Sequence, residues 1–229
     1  MARTADPNAR IALLTAAEAV FAERGVAAAK VEEIARRAHV SKGAFYLHFD
    51  SKEDALRAVV ESFLARCAAV VSEACDVDEL PSEADDVLQV CLDKDIELFE
   101  FFWQNRATLA ILGGCQGPQA YLLEAFRKDV ETRTAQWIDA LKGAEAFRAD
   151  VDSELVSVLL CGAYHELVHK LVASPKKPPI ATWLLETQAA FVRGLGTSSY
   201  QEASERRQAA ERNPSVTIKG RPRGRHESV

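Results

Sequence analysis

Residues 165–169 read His-Glu-Leu-Val-His, and this H-E-x-x-H spacing is where the chain comes closest to hydrolytic chemistry. Histidines four apart share one face of a helix, so His165 and His169 could grip a zinc ion while Glu166 polarises a bound water. Cys161 falls one further turn back on that face. A peptidase needs a third ligand from another element and an open cleft, and the flanking residues supply neither. No metal site and no cofactor is therefore assigned. A metal-dependent hydrolase, or a metal-sensing regulator, built on this segment stands as the alternative reading. No local Ser-His-Asp or Cys-His signature supports nucleophilic catalysis, and no glycine-rich phosphate loop follows a strand. The chain is expected not to be an enzyme.

A second stretch, residues 40–49 (VSKGAFYLHF), carries a different chemistry. Ser41 is placed to cap a short helix, and small residues at its leading end let a backbone approach base edges closely. Lys42 can reach a phosphate or a guanine edge, while Gly43 and Ala44 add little bulk and can touch a thymine methyl. Tyr46 and His48 offer a hydroxyl and an imidazole to phosphate oxygens. Lys52, in the first turn of the next helix, adds a cation beside amides that already favour anions. Phe45, Leu47 and Phe49 are expected to point inward.

Net charge, −6 over 229 residues, hides an uneven distribution. Residues 1–60 carry 9 Lys/Arg against 8 Asp/Glu, residues 61–200 carry 12 against 22, and residues 201–229 carry 7 against 4. An acidic middle cannot meet a polyanion, so contact with nucleic acid falls to the two ends. The C-terminal end is built around Gly220-Arg221-Pro222-Arg223, an extended basic run shaped for the narrow, strongly negative minor groove of A·T-rich DNA. Arg221 and Arg223 are the candidate groove-inserting pair. The run resembles the core of an AT-hook, with Lys219 where an arginine is expected.

The elements that must position these residues are helices throughout. Apolar residues recur at three and four, no run alternates with period two, and the fold is expected to be all-α. Ile11, Leu14, Ala17, Val20 and Phe21 stripe a first helix that Gly25 ends, and Val31 to Ala38 form a short second one. The helix opened by Ser41 is the third. Ser51 and Asp54 open a fourth, running to about Ser72. An acidic stretch with Pro81 then marks a boundary. Breaks at residues 113–118, 143–152 and 175–179 divide the remainder, giving about nine helices, and residues 202–212 read as a frayed helix within a polar tail. The longest uncharged apolar run, residues 107–115, is far shorter than the roughly 20 residues a membrane span needs. With no leader at the N-terminus and five cysteines in apolar helical settings, the protein is expected in the cytoplasm, at the nucleoid, without membrane contact or disulfides.

Residues 34–53, I-A-R-R-A-H-V-S-K-G-A-F-Y-L-H-F-D-S-K-E, resemble the DNA-binding domain of TetR-type transcriptional regulators. Two departures stand out. Ala29 occupies the place where that family usually caps the second helix with Thr or Ser, leaving Lys30 to supply positive charge there, and His39 replaces a turn glycine. The resemblance implies three regions: a helix-turn-helix domain over 1–57, a helical ligand-binding and dimerisation domain over 58–196, and a flexible basic tail over 197–229. It implies a homodimer that binds a palindromic operator in double-stranded DNA as a repressor and answers to a small apolar or acyl-thioester effector. Phe99, Phe102, Trp103, Gln116, Tyr121, Trp137, Tyr164 and His165 are the candidate effector contacts. Leu155, Leu159, Gly162, Trp183, Thr187 and Phe191, on the last two long helices, are the candidate dimer contacts.

Overall fold

The computed structural model describes residues 7–74, 81–113 and 120–212; Gln116, Arg221 and Arg223 lie outside the described residues. Ten helices follow in order: α1 (Pro7–Ala28), α2 (Val31–Arg37), α3 (Lys42–Phe45), α4 (Lys52–Ala74), α5 (Ala84–Gln104), α6 (Arg106–Gly113), α7 (Ala120–Gly143), α8 (Ser153–Ala173), α9 (Ile180–Leu195) and α10 (Ser198–Arg212). No strand occurs among the described residues beyond one isolated bridge between Phe147 and Gly196.

Local signals set the ends of the early helices. Gly25 adopts φ 73, a left-handed conformation that glycine takes without penalty, and breaks the helical path of α1 there. The Ser41 hydroxyl accepts from the Ala44 amide at 3.1 Å. At α4 the cap is reciprocal: the Ser51 hydroxyl accepts from the Asp54 amide at 3.0 Å, and the Asp54 carboxylate accepts from the Asp50 amide at 3.1 Å. Lys30 is the N-cap residue of α2 and makes no side-chain cap. His39 takes φ 58, the left-handed turn conformation.

Three apolar clusters hold the molecule together. The first is built on Phe21, Ile34, Phe45, Phe49 and Phe63 and runs on without a break to Ile111 and Leu112 of α6. The N-terminal helices therefore share a core with the helical body, and α4 spans both. A polar latch reinforces that junction. The Glu18 carboxylate accepts from Arg66 of α4 at 3.0 Å and from the Thr108 hydroxyl of α6 at 2.6 Å. The second cluster joins α5, α7, α8, α9 and α10 around Ile138, Leu141 and Val192. The third joins α5, α8 and α9 around Phe99, Leu171 and Leu184.

Three expectations change. A helix break falls at Asn105, whose side-chain amide donates to the Phe101 carbonyl at 2.8 Å, an alternative to continuing the ladder. Residues 198–212, expected within a flexible tail, form α10. Tyr200, Ala203 and Gln208 are buried on α5 and α9, and Arg206 and Arg207 donate to Asp85 and Gln89 of α5. The described residues hold ten helices where about nine are expected. Counting uncharged runs also passes over α8, whose 21 residues are long and apolar enough to cross a membrane by length and composition. Here that helix packs against α7, α6 and α5, and its apolar outer face is left uncovered.

Candidate nucleic-acid interface and effector cavity

At the N-terminal end, α2 packs against α1, and α3, joined to α2 by four residues, packs against α2. Phe45 is fully buried, edge-on to Tyr46 with ring centroids 5.3 Å apart, and it packs beside Phe49. This leaves Ser41, Lys42, Gly43 and Tyr46 on the outer surface, with Ala44 and His48 half-buried beside them. Leu47, expected inward, is exposed. Only Phe45 and Phe49 lie on the inner side of this one-turn helix and the turn that follows it.

The cations of this surface are not all free in the isolated protein. Lys42 donates to Glu32 of α2 at 2.5 Å, and this contact holds the Glu32 carboxyl below the usual carboxylate range. Arg37 forks onto Glu23 at 2.7 and 2.8 Å. Lys52, expected to face phosphate, instead donates to the carbonyls of Ala27 and Ala29, each at 3.3 Å, and ties the start of α4 to the α1–α2 connection. Lys30 is exposed.

The second feature is a small, partly open cavity of about 50 Å³ between α5, α7, α8, α9 and α10. Leu88, Trp137, Leu160, Phe191 and Val192 are among its apolar walls. Among its lining residues Asp95 is the one charged side chain. The Tyr164 hydroxyl donates to Asp95, yet burial outweighs this bond and pushes the carboxyl up to about 7. Two other polar side chains are tied back to backbone. The Gln188 amide donates to the Leu88 carbonyl at 2.9 Å, and the Thr187 hydroxyl donates to the Trp183 carbonyl at 2.8 Å. Burial also drives the Cys91 thiol up to about 12, as it does for Cys67, so neither is a thiolate at neutral pH.

Of the expected effector contacts, the structure brings Trp137 and Tyr164 into this lining. Phe99 is buried in the third cluster with Phe102 and Trp103 packed against it, a core role rather than a wall. Tyr121 and His165 are exposed and line no part of the cavity; each sits on the solvent side of its helix. Thr187 and Phe191, expected at a dimer surface, face the cavity, and Trp183 packs in the third cluster beneath the Lys170 ammonium. Leu155, Leu159 and Gly162 are exposed, and with Val158 they form an uncovered apolar face on α8. Asp95 is the residue that sequence reasoning missed. It lies in a helix with five other acids, Asp85, Asp86, Asp93 and Glu97 exposed and Glu100 half-buried and paired with Lys177, so nothing in the pattern sets it apart.

The H-E-x-x-H segment is displayed on that same outer face of α8. His165 and His169 place their Nε2 atoms 3.0 Å apart, and both rings are exposed. Cys161 turns the other way, its thiol 3.6 Å from the Thr134 hydroxyl of α7. No group of three potential ligands exists among the described residues. A third ligand beside the two histidines is thus not found among the described residues.

Comparison with known proteins bears on both features. The sequence profile of bacterial regulatory proteins of the tetR family matches residues 13–59. The chain is 32% identical over 151 residues to the HTH-type transcriptional repressor KstR2 of Mycobacterium tuberculosis (strain ATCC 25618 / H37Rv), covering 63% of this chain and 72% of that protein. It is 28% identical over 173 residues to the HTH-type transcriptional repressor BepR of Brucella suis, covering 70% and 80%. Its fold matches that of SmeT, the repressor of the Stenotrophomonas maltophilia multidrug efflux pump SmeDEF, in its complex with triclosan. The TM-score is 0.69 at 20% identity, over 83% of this chain and 92% of that one.

Proposed function

Because the chain belongs to the TetR family of bacterial regulatory proteins, we propose that it is a cytoplasmic repressor that grips a palindromic operator as a homodimer and changes that grip when a small molecule fills the cavity. One observation carries the reading. A one-turn helix presents Lys42, Gly43 and Tyr46 outward from a fully buried Phe45, which is what a reader of the major groove requires. A single such helix reads too few bases, and the uncovered face of Leu155, Val158 and Leu159 suits a second copy of the chain about a twofold axis. KstR2 and BepR, both named as repressors, support this reading, and SmeT in complex with triclosan supports a small-molecule effector.

The effector is a small, largely apolar molecule. The acyl-thioester class loses support, because the lining contains an acid and no Lys or Arg to meet its phosphates. Occupancy of the cavity bears on α5, and the shared first core and the Glu18 latch offer a route through α6 and α4 to the reading head. A ligand shifts DNA affinity only by as much as it discriminates between the two arrangements of those helices.

Selection from random duplexes tests the reading: the purified protein enriches an inverted repeat and binds it as a dimer. Enrichment of no sequence, or of a single half-site held by a monomer, overturns it. The tail reading, with Arg221 and Arg223 in a minor groove, is tested in the same assay with a chain ending at Arg212. Affinity falls where A·T tracts flank the operator and holds where G·C tracts do. Equal loss on both assigns the tail to bulk electrostatics instead.

A further inference from the structure

The polar inventory of the cavity is lopsided. Gln188 and Thr187 have each engaged a donor with a backbone carbonyl, and the Tyr164 hydroxyl is engaged with Asp95. The acceptors left among these groups are the Gln188 carbonyl oxygen, the Thr187 hydroxyl oxygen and, above all, the Asp95 carboxylate; the Tyr200 hydroxyl, also in the lining, can donate or accept. No Lys or Arg lines the space to balance that carboxylate. The rings of Trp137, Phe147 and Phe191 stand in the same walls, and their negative faces favour a cation as well.

Resting on the effector reading above, we propose that this cavity takes a protonated lipophilic amine, its ammonium donating to Asp95 and its hydrocarbon filling the apolar walls. An ammonium brings three donors, no acceptor and one positive charge, which matches acceptors grouped around an uncompensated acid. A carboxylate ligand brings acceptors and like charge. An alcohol brings a single donor and no charge. The apolar walls serve all three equally, so discrimination among them falls on Asp95.

Octylamine, octanol and octanoate form a series with matched tails, and calorimetric titration at pH 7.5 separates them. Octylamine binds the wild-type chain at least tenfold more tightly than octanol, and octanoate binds more weakly than octanol. Asp95→Asn removes the amine's advantage and leaves octanol where it was; this arm also discounts attraction of the amine to the acidic surface at large. Unfolding curves of the variant establish that it is folded. Octanol binding wild type as tightly as octylamine, or an amine advantage that survives Asp95→Asn, overturns the proposal while leaving the effector reading intact. Failure of all three to bind overturns both.

Discussion

Asp95→Asn stabilises the protein at pH 8 and changes little at pH 4. Burial among α5, α8 and α9 holds the Asp95 carboxyl at about 7, above its ordinary value of 3.8, although the Tyr164 hydroxyl pulls it the other way. Below pH 3.8 the acid is protonated in the folded and unfolded chains alike, and the folded state bears no charge there. As the pH rises toward 7, the unfolded chain releases this proton and the folded one retains it. Stability then falls by up to about 1.4 kcal/mol for each pH unit. Above the folded value the loss is complete, at most about 4 kcal/mol. Asparagine keeps an oxygen that can accept from Tyr164 and has no proton to lose, so the variant avoids the whole decline. Urea unfolding of both proteins at pH 5, 6, 7 and 8 reads the difference directly. The other carboxylates cancel in the comparison. A gap that stays flat across this range shows that Asp95 is not held protonated by its surroundings.

Gly43→Ala separates stability from DNA binding. A Cβ built at position 43 meets only the Ser41 hydroxyl oxygen, at 3.7 Å, an ordinary contact, and the backbone there is helical. Glycine inside a helix costs up to about 1 kcal/mol against alanine. The variant therefore melts higher than wild type by the equivalent of up to about 1 kcal/mol. Nothing inside the protein demands a glycine here; on the proposed reading the backbone at position 43 lies against base edges, and a methyl group holds it off. Operator affinity falls tenfold or more, measured by fluorescence anisotropy on the selected duplex. Retained affinity shows that α3 does not approach DNA by this face. The ion pair between Lys42 and Glu32 adds a salt-dependent element to the same contact, for Lys42 must leave Glu32 before it reaches a phosphate.

The reading head is legible in the sequence because its determinants are local. Ser41 and Ser51 each cap a helix through an amide three residues on, Gly25 and His39 take the two left-handed positions, and Phe45 and Phe49 point inward four residues apart. The bounds of α8 and α9 are legible for the same reason, set by Asp152 at one end and the proline run of residues 175–179 between them. Leu47 is misplaced by the same local logic, since a helix of one turn has room for few inward side chains.

The cavity is another matter. Whether Phe99, Trp137 or Tyr121 ends in a core, in a wall or in solvent depends on the angles at which five helices cross, and those angles come from contacts between residues about 100 positions apart, such as Gln188 with Leu88. A helical period marks a face as apolar without saying what it meets. Thr187 and Phe191 look like dimer contacts on that basis and turn out to face the cavity. Residues 202–212 read as a frayed helix in a polar tail, and the helix docks because Tyr200 and Ala203 are buried between α5 and α9 and arginines reach Asp85. Asp95 shows the division most sharply. Its charge is written in the sequence, but among the acids of α5 nothing except tertiary burial makes it different, and desolvation, a property of the assembled helices, turns an ordinary carboxylate into the feature that selects a ligand.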